Sequence, residues 1–142
     1  MRHHLDSLLK ALKHNTFCEL KPSLVHGVGV FALKDIPEGV NPFAGVNFDE
    51  DILVEHESLK GLDKGVRDLV YSLYFNDESG VRVQIRDGEP VTPNKMSFHY
   101  YVNHSNEPNV RWYENCYCYK TLRIVKENEE LFLNYNEYYD EV

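Results

Sequence analysis

The residues best suited to chemistry lie in one polar loop, Asn103-His104-Ser105-Asn106-Glu107-Pro108-Asn109, which stands between two apolar alternating runs. Every side chain of this loop except that of Pro108 can hydrogen-bond to backbone, ligand or water. A turn between strands needs only one or two such residues, which asparagine and proline supply. The loop is therefore interpreted either as a solvated hairpin loop or as a set of polar groups that binds a ligand.

Two further segments share this chemical interest. In His26-Gly27-Val28-Gly29-Val30-Phe31-Ala32, two glycines let the backbone approach a flat ligand or merely turn a corner. A lone Gly-x-Gly is weak evidence, and the dinucleotide fingerprint would need a third glycine and a helix directly after it. The other segment runs from Ile124 to Tyr139 and ends in a cluster of asparagines and tyrosines around Tyr135.

In this order, the three segments resemble the signatures of the SET-domain protein lysine methyltransferases. NHSNEPN resembles NHSxxPN, HGVGVFA with KDIPEG resembles HGxGVFA with xxDIxxG, and residues 124–135 resemble I-x-x-G-E-E-L-x-x-x-Y. Asn128 stands where glycine is usual, and asparagine is the next best residue at a left-handed turn position. Phe43-Ala44-Gly45 matches the family's Glu-Tyr-x-Gly element only loosely, with shortened spacing.

The resemblance implies a fold that is mostly β with short helices (α+β), built from small curved sheets with a C-terminal pseudoknot. That pseudoknot would bring Asn103 and Tyr135 together. We assign residues 1–15 to an N-terminal helix and residues 16–142 to the SET domain. Periodicity by itself predicts only short strands and two helices.

The resemblance also implies an activity, which is the transfer of a methyl group from S-adenosylmethionine to a lysine side-chain amine of a protein, with no metal. Tyr135 would be the catalytic residue, beside the transferred methyl and in contact with the cofactor. The other implied cofactor contacts are His26, Gly27, Val28, Gly29, Asn103 and His104. The implied substrate contacts are Tyr139, Trp112, and Tyr71 or Tyr74.

Two helices follow from apolar residues at helical spacing. The first carries Leu5, Leu8, Leu9 and Leu12 on one side, and we expect it to serve packing or a partner contact. The second is predicted from Asp63, which can cap it, to Phe75. Its tyrosines can simply cover the core, but the family places a channel-wall tyrosine in this region. Tyr74 lies on the apolar stripe and is slightly preferred to Tyr71 for that role.

Trp112, the only tryptophan of the chain, has two interpretations. It is either a core anchor on a strand or an aromatic side chain of the channel wall, where related enzymes carry one. In the second case a large rigid ring leaves little room around the amine, and monomethyl-lysine is the expected main product.

Composition narrows the class of protein. The chain has 142 residues, a formal charge of −8 and a pI of about 5.3, which argues against a general nucleic-acid binder. An acidic chain suits a basic, lysine-containing protein or peptide partner. Without an apolar run of membrane-spanning length or a signal peptide, we expect an intracellular, soluble protein, either cytoplasmic or, if the source is eukaryotic or viral, nuclear.

The three cysteines, Cys18, Cys116 and Cys118, are an odd number and predict no disulfide framework, which fits a reducing cytosol. The Cys-x-Cys pair could bind zinc with two further ligands, but only Cys18 remains as another thiolate, so a zinc site is disfavoured.

Two alternatives to a lysine methyltransferase stay open. One is a SET-fold module that binds a peptide or partner without catalysis, and the other is a methyltransferase acting on something other than a lysine side chain. Retention of Asn103, His104 and Tyr135 favours catalysis over the first alternative, and a binding assay with S-adenosylmethionine separates the two.

Overall fold

A computed structural model describes residues 2–46 and 50–137 of the chain. Its helices are α1 (Arg2–His14) and α2 (Lys64–Leu73). Its strands are β1 (Cys18–Pro22), β2 (Val28–Ala32), β3 (Glu50–Val54), β4 (Asn76–Asp77), β5 (Gly80–Arg86), β6 (Glu89–Pro90), β7 (Asn103–His104), β8 (Val110–Tyr113), β9 (Cys118–Thr121) and β10 (Phe132–Leu133). Short strands, two helices and several 3-10 turns confirm the predicted α+β class.

The chain forms two compact units, one built from Met1–Asn47 with Tyr101–Val142 (unit 1) and the other from Phe48–Tyr100 (unit 2). Unit 1 contains three two-stranded sheets, which are the antiparallel hairpins β1–β2 and β8–β9 and the parallel pair β7–β10. Its core includes the fully buried aliphatic side chains of Val30, Ile36, Val110, Val125 and Leu131.

The C-terminal segment of unit 1 is fastened to the rest of the unit by backbone hydrogen bonds. Leu131 N donates to the Val30 carbonyl at 2.8 Å, and the N–H of Ala32 donates to the Glu129 carbonyl at 2.9 Å. Asn128 turns the chain with φ +71°, which confirms the predicted left-handed position. The segment then pairs in parallel with β7, Phe132 opposite Asn103, the pairing that the predicted pseudoknot requires.

Unit 2 is a sheet in which β5 pairs with β3, β4 and β6, together with helix α2. The Asp-Gly pair at positions 87 and 88, which in a sequence predicts a two-residue hairpin turn, joins β5 to β6, and both residues have positive φ, 54° and 76°. Strand β3 lies in an acidic stretch whose Glu50, Glu55 and Glu57 side chains are exposed. It pairs with β5, where Ile52 and Val54 face Val83 and Val81 across the ladder.

Both helices are confirmed, with shifted bounds. Helix α2 ends at Leu73 rather than at Phe75, because Tyr74 is extended (φ −93°, ψ 146°). Asp63 occupies the N-cap position but makes no side-chain capping bond. On α1, the predicted apolar stripe is 51–54% exposed at each of its four leucines. Among the described residues, no helix is long and apolar enough to cross a membrane.

Candidate functional site

The first group of the candidate site is the Asn103 side chain, which is only 7% exposed at the start of β7. Its amide nitrogen Nδ2 donates to three acceptors, which are the His26 carbonyl (3.0 Å), the Val28 carbonyl (3.2 Å) and Glu130 Oε2 (3.0 Å). Two segments of the predicted cofactor site, residues 26–28 and Asn103, are therefore in direct contact. Sequence reasoning placed them together only through the family resemblance.

Glu130 is a functional candidate that sequence reasoning missed. Its carboxylate accepts hydrogen bonds from Ser23 Oγ at 2.9 and 3.0 Å, in addition to the bond from Asn103. The Ser23 oxygen in turn accepts from the backbone N–H groups of Val25 and His26, at 3.0 and 3.3 Å. The available signal was its place as the second glutamate in the segment that resembles the family's G-E-E-L motif, to which no role was assigned.

The two glycines of this segment serve different purposes. Gly27 has φ +48°, a conformation that L side chains rarely adopt. Gly29, opposite Lys21 in the β1–β2 hairpin, leaves room for Glu130, because a Cβ there would collide with the carboxylate and lie 3.1 Å from the Ser23 Cβ. The space at Gly29 is thus filled by a side chain of this chain rather than left open for a ligand.

His104 and Tyr135 meet as the predicted pseudoknot requires. The backbone N–H of Tyr135 donates to His104 Nδ1 at 3.0 Å, and the two rings lie 5.1 Å apart. The acceptor role of Nδ1 means that a neutral His104 carries its proton on Nε2. His104 therefore holds Tyr135 in place, and the direct cofactor contact predicted for it stays a prediction.

The hydroxyl of Tyr135 donates to the Val102 carbonyl at 2.5 Å. Tyr135 is 43% exposed, yet burial around the hydroxyl raises its pKa above the ordinary 10. The group is therefore a neutral phenol at physiological pH. Its proton is committed to the carbonyl, so its oxygen lone pairs remain available as acceptors.

Tyr135 and Trp112 line the same cleft. It is lined by Val110, Arg111, Trp112, Leu133, Asn134, Tyr135 and Glu137. Trp112 is 2% exposed, its indole N–H donates to Glu114 at 2.8 Å, and its ring lies 4.8 Å from that of Tyr119. Trp112 is thus a buried strand residue that also borders the cleft, so the two interpretations of the sequence do not exclude each other.

An ion pair closes the end of this cleft. Arg111 on β8 donates to Glu137 at 2.9 and 3.2 Å, and both side chains are about one-third exposed. Glu137 ends the 3-10 turn that begins at Tyr135, so the pair fastens this turn to β8. Strand β10, which precedes this turn, is held by the Asn109 side chain. Asn109 donates to the Glu130 carbonyl at 2.8 Å and accepts from the backbone N–H of Phe132 at 2.7 Å.

The predicted channel tyrosines Tyr71 and Tyr74 belong to unit 2. Tyr74 is 7% exposed and its hydroxyl donates to the Val91 carbonyl at 2.6 Å, so within its unit it is a core residue. Tyr71 stacks on His56, with 2.6 Å between its hydroxyl and the ring nitrogen Nδ1. A channel role for either tyrosine stays a prediction, and Tyr139 lies outside the described residues.

The cysteine prediction was wrong in one respect. Cys116 and Cys118 form a disulfide, with their Cα atoms 5.2 Å apart, across the tip of the β8–β9 hairpin. Tyr117 between them has φ +49°, the bend that brings the two thiols to the same side. Cys18 is free and buried, and burial raises its pKa to about 12. No cluster of three or more His, Cys, Asp or Glu side chains able to hold a metal occurs in the described ranges.

Comparison with known proteins identifies the fold. The model of the SET domain family matches residues 27–136, and no curated protein matches this chain. One similar structure is that of a candidate histone methyltransferase from Plasmodium falciparum, at 12% identity and a TM-score of 0.49, covering 84% of this chain and 93% of that one.

Two other similar structures come from a fungal complex. A humanized mutant of the Chaetomium thermophilum Polycomb Repressive Complex 2 bound to an inhibitor shares 21% identity, with a TM-score of 0.48; the match covers 97% of this chain and 18% of that one. Apo ctPRC2 with two mutations in Ezh2 shares 22% identity, with a TM-score of 0.51, over 98% and 18% of the two chains. The last of these supports a common fold.

The family match includes Gly27 to Ala32, the polar loop and the strand that leads to Tyr135, whereas Ser23, His26 and Glu137 lie outside it. Because it also covers far more than half of the sequence, the chain belongs to the SET domain family.

Proposed function

We propose that this chain is a protein lysine N-methyltransferase that uses S-adenosylmethionine as the methyl donor. The observation that carries the proposal is the meeting of three distant segments within unit 1. Asn103 bonds the backbone of the glycine segment, and the next residue, His104, holds the backbone of Tyr135. The groups that the family resemblance assigns to the cofactor and to the methyl transfer are therefore neighbours.

The acceptor groups around Asn103 fit a cationic ligand. The carbonyl oxygens of His26 and Val28 and the half-buried Glu130 carboxylate all lie around one amide, and Glu130 pairs with no cation among the described residues. Oxygen acceptors and an uncompensated negative charge favour a positive group. S-adenosylmethionine carries both an ammonium and a sulfonium, and its methyl on positive sulfur is the electrophile.

Tyr135 would position the substrate amine. Only the neutral amine has a lone pair, whereas free lysine has a pKa near 10.4. Burial next to aromatic rings disfavours the ammonium, and a nearby positive sulfur acts in the same direction. Because the Tyr135 proton is donated to Val102, its oxygen can accept an N–H of the amine and turn the amine lone pair towards the methyl. The raised pKa of Tyr135 fits a role in orientation rather than as a base.

Alignment supplies most of the rate gain in such a direct displacement, since well-oriented intramolecular reactions gain roughly 7–11 kcal/mol. The anchors of Tyr135 favour such alignment, because its backbone is held by His104, its hydroxyl by Val102, and its turn by the Arg111–Glu137 pair. Three anchors from different elements leave the ring little freedom to move.

The proposed substrate is a lysine-containing, basic protein segment. A net charge of −8 supports this, but two residues of the acidic run 127–130 are engaged internally. Glu129 pairs with Arg123, and Glu130 bonds Ser23 and Asn103. Attraction of the substrate would therefore come from the remaining exposed carboxylates, and we expect substrate affinity to weaken as salt rises. Dependence on S-adenosylmethionine implies an intracellular location.

The test has two steps. Calorimetry with S-adenosylmethionine measures binding, and incubation with methyl-labelled cofactor and lysine-containing basic peptides, followed by mass spectrometry, measures transfer. We expect binding and label on lysine. Binding of the cofactor with label on another residue would favour a methyltransferase of different specificity. A folded protein that binds no cofactor would instead be a non-catalytic SET-fold module.

A further inference from the structure

We propose that Glu130 is a positioning residue of the cofactor site, whose carboxylate fixes the orientation of the Asn103 amide and adds negative charge next to it. The inference rests on the proposed function and names a residue on which cofactor binding depends. In the sequence, Glu130 is the second glutamate of the segment that resembles the family's G-E-E-L motif, but no role was predicted for it.

The orientation of the Asn103 amide is determined by its neighbours. The three atoms within hydrogen-bond distance of its Nδ2 are two backbone carbonyl oxygens and one carboxylate oxygen. All three can only accept, so the NH2 group must face them. A flip by 180° would set Oδ1 against three oxygens, one of them charged, and leave the buried acceptors unpaired.

This arrangement leaves the other end of the amide available. Asn103 Oδ1 accepts no hydrogen bond from any described residue, while both hydrogens of Nδ2 are shared among three acceptors. An acceptor held in one direction costs a ligand less ordering entropy than a freely rotating amide would. The amide oxygen can therefore receive a ligand N–H, and the ammonium of S-adenosylmethionine is such a donor.

Glu130 is itself held in place from the opposite side. Ser23 donates to both carboxylate oxygens and caps the turn that leads to His26, so the carboxylate joins this turn to Asn103. The close approach requires glycine at position 29, where a Cβ would lie 2.9 Å from the Glu130 carboxyl carbon. Ser23 and Asn103 thus bind the Glu130 carboxylate, and Gly29 leaves the space for it.

The adjacent residue Glu129 provides a matched control. It has the same side chain and stands one position earlier, but its carboxylate pairs with Arg123 at 2.5 Å and accepts from the Lys126 N–H at 2.9 Å. That ion pair lowers the pKa of Glu129, through the side-chain hydrogen bond from Arg123. Removing the charge of Glu129 should therefore leave Asn103 and the cofactor site unchanged.

The first experiment requires no cofactor. In ¹⁵N-labelled protein, the side-chain NH2 signals of Asn103 are identified by their loss in Asn103→Ala. In the wild-type protein we expect these hydrogens to exchange slowly with water. In Glu130→Gln their chemical shifts should change, and their exchange rate should change by at least tenfold. The same signals should be unaffected in Glu129→Gln. Unchanged signals in Glu130→Gln, or equal changes in both variants, would overturn the positioning role.

The second experiment measures cofactor affinity and kinetics. In Glu130→Gln we expect the Kd and KM for S-adenosylmethionine to rise about tenfold, which equals about 1.4 kcal/mol of binding free energy. The kcat should change less than threefold. Glu130→Asp, which keeps the charge, should recover part of the affinity. A fall in kcat and Tm with an unchanged KM would mean a merely structural role.

Failures of the two proposals are distinguishable. If the wild-type protein binds no S-adenosylmethionine, the proposed function fails, and the amide spectrum alone then upholds or overturns the positioning by Glu130. If Glu130→Gln does not fold, Ser23→Ala replaces it in both experiments, because it removes one anchor and keeps the charge. It should produce smaller changes of the same kind, and an unchanged amide spectrum and KM would contradict the proposal.

Discussion

Each of the two units contains a buried polar network, and the two networks differ in charge. In unit 1, Ser23, Glu130 and Asn103 are joined around a carboxylate. In unit 2, buried His99 lies 2.6 Å from Ser97 Oγ and 3.1 Å from Gln84 Oε1, which also accepts from Tyr100 at 2.6 Å.

The network of unit 2 is neutral. Gln84 Oε1 can only accept, so His99 carries its proton on Nε2 and accepts the Ser97 hydroxyl at Nδ1. Burial, with a smaller contribution from Arg86, lowers the pKa of His99 from its ordinary 6.5 to about 3. Both ring nitrogens thus have protein partners, and no proton is exchanged near neutral pH.

The comparison teaches that buried polar groups alone do not mark a site. The histidine of unit 2 is the more conspicuous chemical group, yet both of its nitrogens are engaged. The amide of unit 1 has an unused acceptor and an uncompensated charge beside it. Surplus hydrogen-bonding capacity, rather than residue type, distinguishes a binding site from a structural network.

The largest expected effect comes from Asn103→Ala in unit 1. We expect the affinity for S-adenosylmethionine to fall between tenfold and a hundredfold, because the ligand acceptor is lost and buried carbonyl groups lose their donor, at roughly 1–3 kcal/mol. Calorimetry on the folded variant measures the loss. If this variant bound S-adenosylmethionine as tightly as the wild type, the network of unit 1 would be structural, like that of unit 2.

Tyr135→Phe should have the next largest effect. It keeps the ring and removes the hydroxyl, so turnover should fall at least tenfold, or about 1.4 kcal/mol of barrier. Stability should drop by only about 0.5–1.5 kcal/mol for the lost bond to Val102. Single-turnover kinetics beside a melting curve checks both values. Equal turnover would move the catalytic role elsewhere, with Tyr139 as the next candidate.

A pH titration of stability addresses unit 2. Its folded form keeps His99 neutral down to about pH 3, whereas the unfolded chain takes up the proton below its ordinary pKa of 6.5. Stability should therefore decrease as the pH falls from 6.5 towards 3, by up to about 1.4 kcal/mol per pH unit. Denaturant unfolding of the wild type and of His99→Gln isolates this slope, since Glu129 and other carboxylates titrate in both. If the stability of both proteins changed equally with pH, His99 would not be held neutral by burial in the folded protein.

The smallest expected effect is a change of product with Trp112→Phe. The wild-type protein should yield mainly monomethyl-lysine, because the indole borders the cleft of Tyr135 and overpacking costs about 1–3 kcal/mol. The smaller ring should shift the product several-fold towards di- and trimethyl-lysine. Intact-mass analysis over time follows the distribution. Predominant trimethylation by the wild type would show that Trp112 does not limit the channel.

Local patterns were predictable from the sequence because they depend on neighbouring residues. The leucine spacing gave helix α1, the Asp87-Gly88 pair gave the hairpin turn, and Asn128 gave a left-handed position. The family resemblance also predicted that Asn103 and Tyr135 come together, and the contact observed is that of the next residue, His104, with Tyr135, 31 positions away.

The contacts that could not be predicted join residues that are distant in sequence or depend on an unusual backbone conformation. Ser23 and Glu130 are separated by 107 positions, and nothing in the type of either residue names the other. The bond from the Tyr74 hydroxyl to the Val91 carbonyl joins residues 17 positions apart and was not predictable, while a channel role for Tyr74 stays a prediction. The Cys116–Cys118 disulfide depends on the positive φ of Tyr117, which no propensity predicts for a tyrosine.

The parallel pairing of β7 with β10 has a consequence for the order in which the protein folds. Strands β4 and β5 pair across a tight turn, Asp77 opposite Gly80, so unit 2 can form from contacts that are close in sequence. The candidate site requires residues 23–28 to close on Asn103 and Glu130, over loops of 75 to 107 residues. Closing long loops costs entropy before any contact is gained, and chains rich in such contacts fold slowly. We therefore expect the site to be assembled last, after unit 2, whose sequence separates the two parts of the site, has already formed.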